Sequence, residues 1–94
     1  MGRYILYEVV ESQRFRAQMG EHSDIQRWDE VMEAVIFALA RDPHGIGQPT
    51  SHPEIFALPT EAAPGVPAFV IYYRILPKQV ELVGLKLVDD ALEF

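Results

Sequence analysis

Apolar positions cluster most strongly between Pro67 and Val88, PAFVIYYRILPKQVELVGLKLV. Two runs rich in β-branched and aromatic residues flank a short turn at Pro77 and Lys78, the pattern of a β-hairpin. The first run is apolar at nearly every position, so both of its faces should be covered. In a strand, Phe69, Ile71, Tyr73 and Ile75 fall on one side, and Val70, Tyr72, Arg74 and Leu76 on the other.

Upstream, Arg3 to Val10 (RYILYEVV) predicts a first strand. Ser12 opens a polar stretch in which Phe15 and Met19 sit four apart before Gly20, the spacing of a short helix. A second helix is marked by a capping box, Ser23 with Gln26, and by Asp24 at the positive end of the helix dipole. Ile25, Trp28, Met32, Val35, Ile36 and Leu39 repeat at helical spacing, opposite Gln26, Arg27, Asp29, Glu30 and Glu33. Asp42-Pro43 stops it, because a residue before proline avoids helical geometry. Residues 48–67 carry five of the seven prolines and are expected to be turn-rich, with a short strand at Glu54–Leu58 and an exposed loop at 60–67. The order β-α-α-β-β-β predicts one α+β domain over residues 1–94, with both N-terminal helices on one face of a mainly antiparallel sheet.

Helices on one face bury only half of the strand that starts at Phe69. Leaving the other half wet forgoes several kcal/mol at roughly 25 cal/mol per Å², and an exposed apolar sheet face marks a partner surface. The expectation is that Phe69, Ile71, Tyr73 and Ile75 meet a partner. The alternative is that loop 59–67 or the C-terminal tail folds over that surface.

Eight Lys and Arg stand against 14 Asp and Glu, a formal net charge of −6. The deficit is even, five basic and eight acidic residues in 1–50 against three and six in 51–94. No half is a basic module, which argues against a general electrostatic grip on nucleic acid. The chain has no cysteine, so it offers no disulfide, thiolate nucleophile or sulfur-ligated metal. MGRYILYEVVE lacks a signal-peptide core, and no run approaches the roughly 18 apolar residues of a membrane span. A soluble cytoplasmic protein is expected.

No catalytic motif stands out. His22, His44 and His52 share no metal-ligand spacing, and ordinary loop histidines are expected, with no metal or cofactor. His44-Gly45-Ile46-Gly47 follows a helix and lacks a Walker lysine, so it reads as a helix stop. Asp29-Glu30 and Asp89-Asp90 are adjacent carboxylates on solvated positions, and no serine lies in a nucleophile elbow. Arg74, Lys78 and Lys86 are the only basic residues after position 41. They are candidates for a small phosphate cluster, with Tyr72 or Tyr73 for base stacking. The competing reading is strand-surface charge that neutralises Glu81 and the acidic helices.

Two segments and the element order carry a family resemblance. LARDPHGIGQP (39–49) is similar to the helix end of the RelE/ParE superfamily of small bacterial toxins, and VIYYRILPKQVELVGLKL (70–87) resembles its terminal hairpin. The resemblance implies two N-terminal helices packed on one face of an antiparallel sheet. It also implies an antitoxin partner that wraps the toxin and, in RNA-cleaving members, basic and hydrogen-bonding residues on the opposite concave face. Here the position of the family's third-strand arginine is taken by Phe69, and its preceding basic positions by Phe56 and Ala57. The last strand leads into Asp89 and Asp90 instead of a basic tail.

The functional expectation is a toxin-like component of a bacterial toxin–antitoxin pair that acts through protein–protein contact, without the usual RNA-cleaving site. Its partner would be an antitoxin-like protein or a second copy of the chain. One alternative is an active ribosome-dependent endoribonuclease that uses Arg74, Lys78, Lys86 and Tyr73. The other is a self-associating domain unrelated to toxins.

Overall fold

The computed structural model describes residues 6–22, 25, 27–62 and 64–88. Its elements are β1 (Glu8–Glu11), α1 (Gln13–Glu21), α2 (Trp28–Arg41), α3 (Pro43–Ile46), β2 (Gln48–Pro49), β3 (Phe56–Pro59), β4 (Phe69–Ile75) and β5 (Gln79–Leu87). The strands form one five-stranded sheet in the order β1-β5-β4-β3-β2. β1 runs parallel to β5 and every other pairing is antiparallel, so the sheet is mixed and the class α+β.

The predicted elements recur with shifted starts and two additions. Helix α2 begins at Trp28, after a non-helical Ile25 expected in its stripe, and the short strand runs Phe56–Pro59 in place of the expected Glu54–Leu58. Helix α1 begins at its expected cap, where Ser12 Oγ accepts the Phe15 N–H at 3.0 Å. Asp42 both ends α2 and caps the unpredicted α3, accepting the Gly45 N–H on Oδ1 at 3.1 Å. The two-residue β2 was also unpredicted. The first strand starts at Glu8, and the earlier part of its predicted run, 3–5, lies outside the described residues. So does the expected capping box at Ser23 and Gln26. Arg27, at the N-cap of α2, has φ of 64°, a left-handed conformation that costs a non-glycine residue roughly 1–3 kcal/mol. Its guanidinium reaches Glu30 Oε1 at 3.1 Å and the Pro64 carbonyl at 3.3 Å.

The core lies between α2 and the sheet. Trp28, Met32, Val35 and Leu39 point inward from α2, and Phe15 joins them from α1. Phe69, Ile71 and Tyr73 of β4 are fully buried beneath them, flanked by Val80, Leu82 and Leu85 of β5. Trp28 meets Phe69 edge to face with ring centroids 4.7 Å apart. Loop 60–67, expected to be exposed, contributes buried Val66 to this core and is tied to Arg27 through the Pro64 carbonyl. It closes the helix side, and among the described residues no element covers the opposite sheet face.

Tyr73 spans the core to donate its hydroxyl proton to the Pro43 carbonyl at 2.6 Å. Burial, with the Asp42 carboxylate adding to it, pushes the phenol pKa up from 10.0 to about 12. Gly47 passes directly beneath the phenol, where a Cβ would lie 2.9 Å from Tyr73 Cζ.

Two outcomes follow from this contact. Gly47→Ala should cost about 1–3 kcal/mol in urea melts through overpacking, and adding Tyr73→Phe, which removes the nearest oxygen, should recover part of that loss. The folded-state pKa of Tyr73 lies above the unfolded value, so its contribution is complete below pH 10 and fades as pH rises toward 12. The fold should lose about 2–3 kcal/mol across that window, and Tyr73→Phe should lack this part of the alkaline loss.

Candidate functional site

Strand β5 changes phase halfway along its length. Tyr73 pairs with Leu82 but Tyr72 pairs with Gly84, so Val83 is an extra residue, a β-bulge. Before it Val80 and Leu82 face α2; after it Leu85 and Leu87 do. Without the bulge, Lys86 would share the face of Val80 and Leu82 and enter the core. With it, Lys86 lies opposite Val70 on the open face.

Helix α1 supplies the wall of this region. β1 pairs with β5 only as far as Leu82, and α1 takes its place along the rest of the strand. The Ser12 N–H reaches the Leu82 carbonyl at 3.0 Å, and Gln18 Oε1 accepts the Leu85 N–H at 2.7 Å. The helix carries two stripes at i, i+4 spacing. Phe15 and Met19 pack into the core, while Arg14 and Gln18 line the rim of the open face.

Between that rim and the loop after β2 lies a cleft of about 510 Å³. Its floor is Tyr72, Val83 and Gly84, and its walls carry Arg14, Gln18, His52, Ile55 and Lys86. Gly84 leaves the floor low: a Cβ there would sit 3.7 Å from both Gln18 Oε1 and Tyr72 Cδ2, so a longer side chain would fill the space. The His52 turn is held locally. Thr50 Oγ accepts the His52 N–H and donates to the Ile55 carbonyl, and His52 Nδ1 accepts the Glu54 N–H at 3.2 Å. With Nδ1 accepting, the neutral ring carries its proton on Nε2 and is a donor there.

The cleft therefore presents two exposed cations, one imidazole donor and one half-buried aromatic ring, and among the described residues no carboxylate lines it. These groups suit an anion flanked by a flat or apolar moiety. Two of the cleft's acceptors are already engaged, Gln18 Oε1 by the Leu85 N–H and His52 Nδ1 by the Glu54 N–H.

The residues expected from sequence distribute differently. Phe69, Ile71 and Tyr73 are fully buried and Ile75 is packed against the same core. The expectation that they form a partner surface is corrected: α2 covers their side of the sheet, and the other half of the alternation is open. The basic trio is not assembled either. Arg74 is paired with Glu81, Nε to Oε1 at 2.7 Å, and lines a separate cleft of about 370 Å³ with His44 and Phe56. Lys78 is exposed in the hairpin turn, eight residues from Lys86 and so roughly 25 Å away along the strand. Of the named candidates only Lys86 and Tyr72 reach the cleft, and Tyr73 does not. Arg14 and Gln18 carried no chemical signal in the sequence, and His52 was read there as an ordinary loop histidine. Among the described residues there is no cluster of three or more metal-ligating side chains, and no helix is long and apolar enough to cross a membrane.

If the bulge sets the two faces, deleting Val83 restores unbroken alternation with Leu85 still inward and Lys86 still outward. That variant should fold with a loss of about 1–2 kcal/mol, whereas deleting Glu81, which throws Val80 or Leu82 out of phase, should abolish cooperative thermal unfolding.

Comparison of the chain with models of protein families, with curated proteins and with solved structures finds no match.

Proposed function

We propose that this chain is a RelE/ParE-like, toxin-like component of a bacterial toxin–antitoxin pair that works in the cytoplasm by contact through its open sheet face. The observation that carries this reading is the cleft over Tyr72 and Gly84, which offers two cations, an imidazole and a half-buried ring, with no carboxylate among its described lining residues. Arg14, Lys86 and His52 Nε2 present donors, and Tyr72 presents a ring. In-line cleavage of RNA asks for a group that takes up the 2′-hydroxyl proton together with strong stabilisation of developing charge, and Arg14 and Lys86 are the only cations among the described residues that line this cleft. An antitoxin-like chain that lays acidic and apolar side chains over the face would satisfy both the cations and the half-buried Val70 and Tyr72. A second copy of this chain would meet the same face against the repulsion of a net charge of −6 on each copy.

The second reading is a ribosome-dependent endoribonuclease with a rearranged basic site. The same cleft favours it through Arg14, His52, Tyr72 and Lys86, in place of Arg74, Lys78 and Tyr73.

Controlled induction of the chain alone in a bacterial host separates the two. The contact reading expects growth and labelled-amino-acid incorporation to continue unchanged. It also expects stoichiometric co-purification with the product of a short open reading frame adjoining its gene, lost in Tyr72→Glu and kept in Phe37→Glu, whose exposed ring sits on α2. A rapid fall in translation that disappears in Arg14→Ala with Lys86→Ala would establish the second reading and overturn the first.

A further inference from the structure

Positive charge is unevenly satisfied in this chain. Arg16, Arg27 and Arg74 are each paired with a glutamate, and Arg41 lies over the Phe37 ring. Arg14, Lys78 and Lys86 make no ion pair among the described residues, and two of these three line the cleft over Tyr72. The cleft adds neutral donors. His52 Nδ1 accepts the Glu54 N–H, which leaves Nε2–H as a donor, and Gln18 Oε1 accepts the Leu85 N–H, which leaves its amide NH₂. Donors without a carboxylate among the described lining residues suit a phosphate monoester, which carries about −1.5 to −2 charge at neutral pH and three acceptor oxygens. The half-buried Tyr72 ring, beside the apolar Val83 and Ile55, suits a flat ring on the same ligand. The volume of about 510 Å³ falls within the roughly 300–1,000 Å³ of small-molecule sites. A nucleic-acid strand asks instead for a basic track along successive phosphates, and the other cations do not extend one from here. Arg74 is neutralised by Glu81, and Lys78 lies roughly 25 Å from Lys86 along the strand.

We infer that this cleft binds one small phosphate monoester carrying a flat ring, of the class of the nucleoside monophosphates. The phosphate meets Arg14, Lys86 and His52 Nε2, and the base lies on Tyr72. A ligand seated there occupies the face that a protein partner would use. The inference deepens the contact reading and rests on it for that consequence, whereas the binding itself is measured on the purified chain, with neither partner nor ribosome present.

The test is calorimetric titration of the full chain with the adenosine, guanosine, cytidine and uridine monophosphates, the matching nucleosides, inorganic phosphate and a short oligoribonucleotide. The best-bound monophosphate should bind at least about tenfold more tightly than its nucleoside or inorganic phosphate, the advantage a stacked base supplies. Arg14→Ala or Lys86→Ala should weaken it about tenfold. Lys78→Ala, which removes the same charge outside the cleft, should leave it unchanged. Tyr72→Leu should bring the monophosphate down to the affinity of inorganic phosphate, and Tyr72→Phe should keep the difference. No binding of any monophosphate, equal binding of monophosphate and phosphate, or equal losses in Lys78→Ala and Lys86→Ala would each overturn the inference. An oligoribonucleotide that outcompetes every monophosphate, with a salt dependence of several phosphates, would assign the cleft to RNA and also overturn it. Monophosphate binding as expected in a chain that arrests translation would leave the inference standing and sink only the contact reading. Absence of binding in a chain that still captures the product of the adjoining reading frame would do the reverse.

Discussion

Burial of Phe69, Ile71 and Tyr73 beneath Trp28, Met32, Val35 and Leu39 is the contact on which the other features depend. β4 carries large side chains at every inward position, so the sheet needs one helix with an unbroken apolar stripe along its length, and α2 provides it. Once that face is closed, each remaining device serves its edges. Val66 and Arg27 seal one end through the loop. Tyr73, bonded to Pro43 above Gly47, pins the chain as it leaves α2. The consequence is that the face left uncovered by the described elements carries Val70, Tyr72 and Arg74, all half-buried.

What that open face can do is decided by a single inserted residue. The bulge at Val83 keeps Leu82 and Leu85 both in the core although their positions in the sequence differ in parity. The same shift sends Lys86 outward and sets Gly84 on the floor beside Tyr72. α1 supplies the wall because β1 stops at Glu11 and leaves the second half of β5 without a neighbouring strand. Gln18 satisfies the Leu85 N–H there, so the edge that would otherwise seek another strand becomes one side of a cleft.

Much of this was legible in the residues. The hairpin, the short α1 with its Ser12 cap, the α2 stripe and its stop at Asp42-Pro43 follow from periodicity and capping alone. β2 and α3 were not legible, since two and four residues carry no period. Alternation sorted β4 correctly into two faces but did not say which one the helices cover. The signal was there: Phe, Ile, Tyr and Ile form a more apolar set than Val, Tyr, Arg and Leu, and the more apolar set belongs inside. The bulge also left a trace, because the apolar positions of VELVGLKL change phase beside Gly84, a residue that often marks a bulge in a strand. The cleft itself was hidden, since Arg14, His52 and Lys86 are far apart in the sequence and meet only through the fold.

The cross-strand contacts around the bulge test the account most directly, because the position of Lys86 and the floor of the cleft both follow from them. Nuclear Overhauser contacts in the β4–β5 hairpin should pair Tyr73 with Leu82, Tyr72 with Gly84 and Val70 with Lys86, leaving Val83 without a partner. An unbroken ladder that pairs Tyr72 with Val83 and Phe69 with Lys86 would turn Lys86 toward the core, remove the cleft and contradict the account.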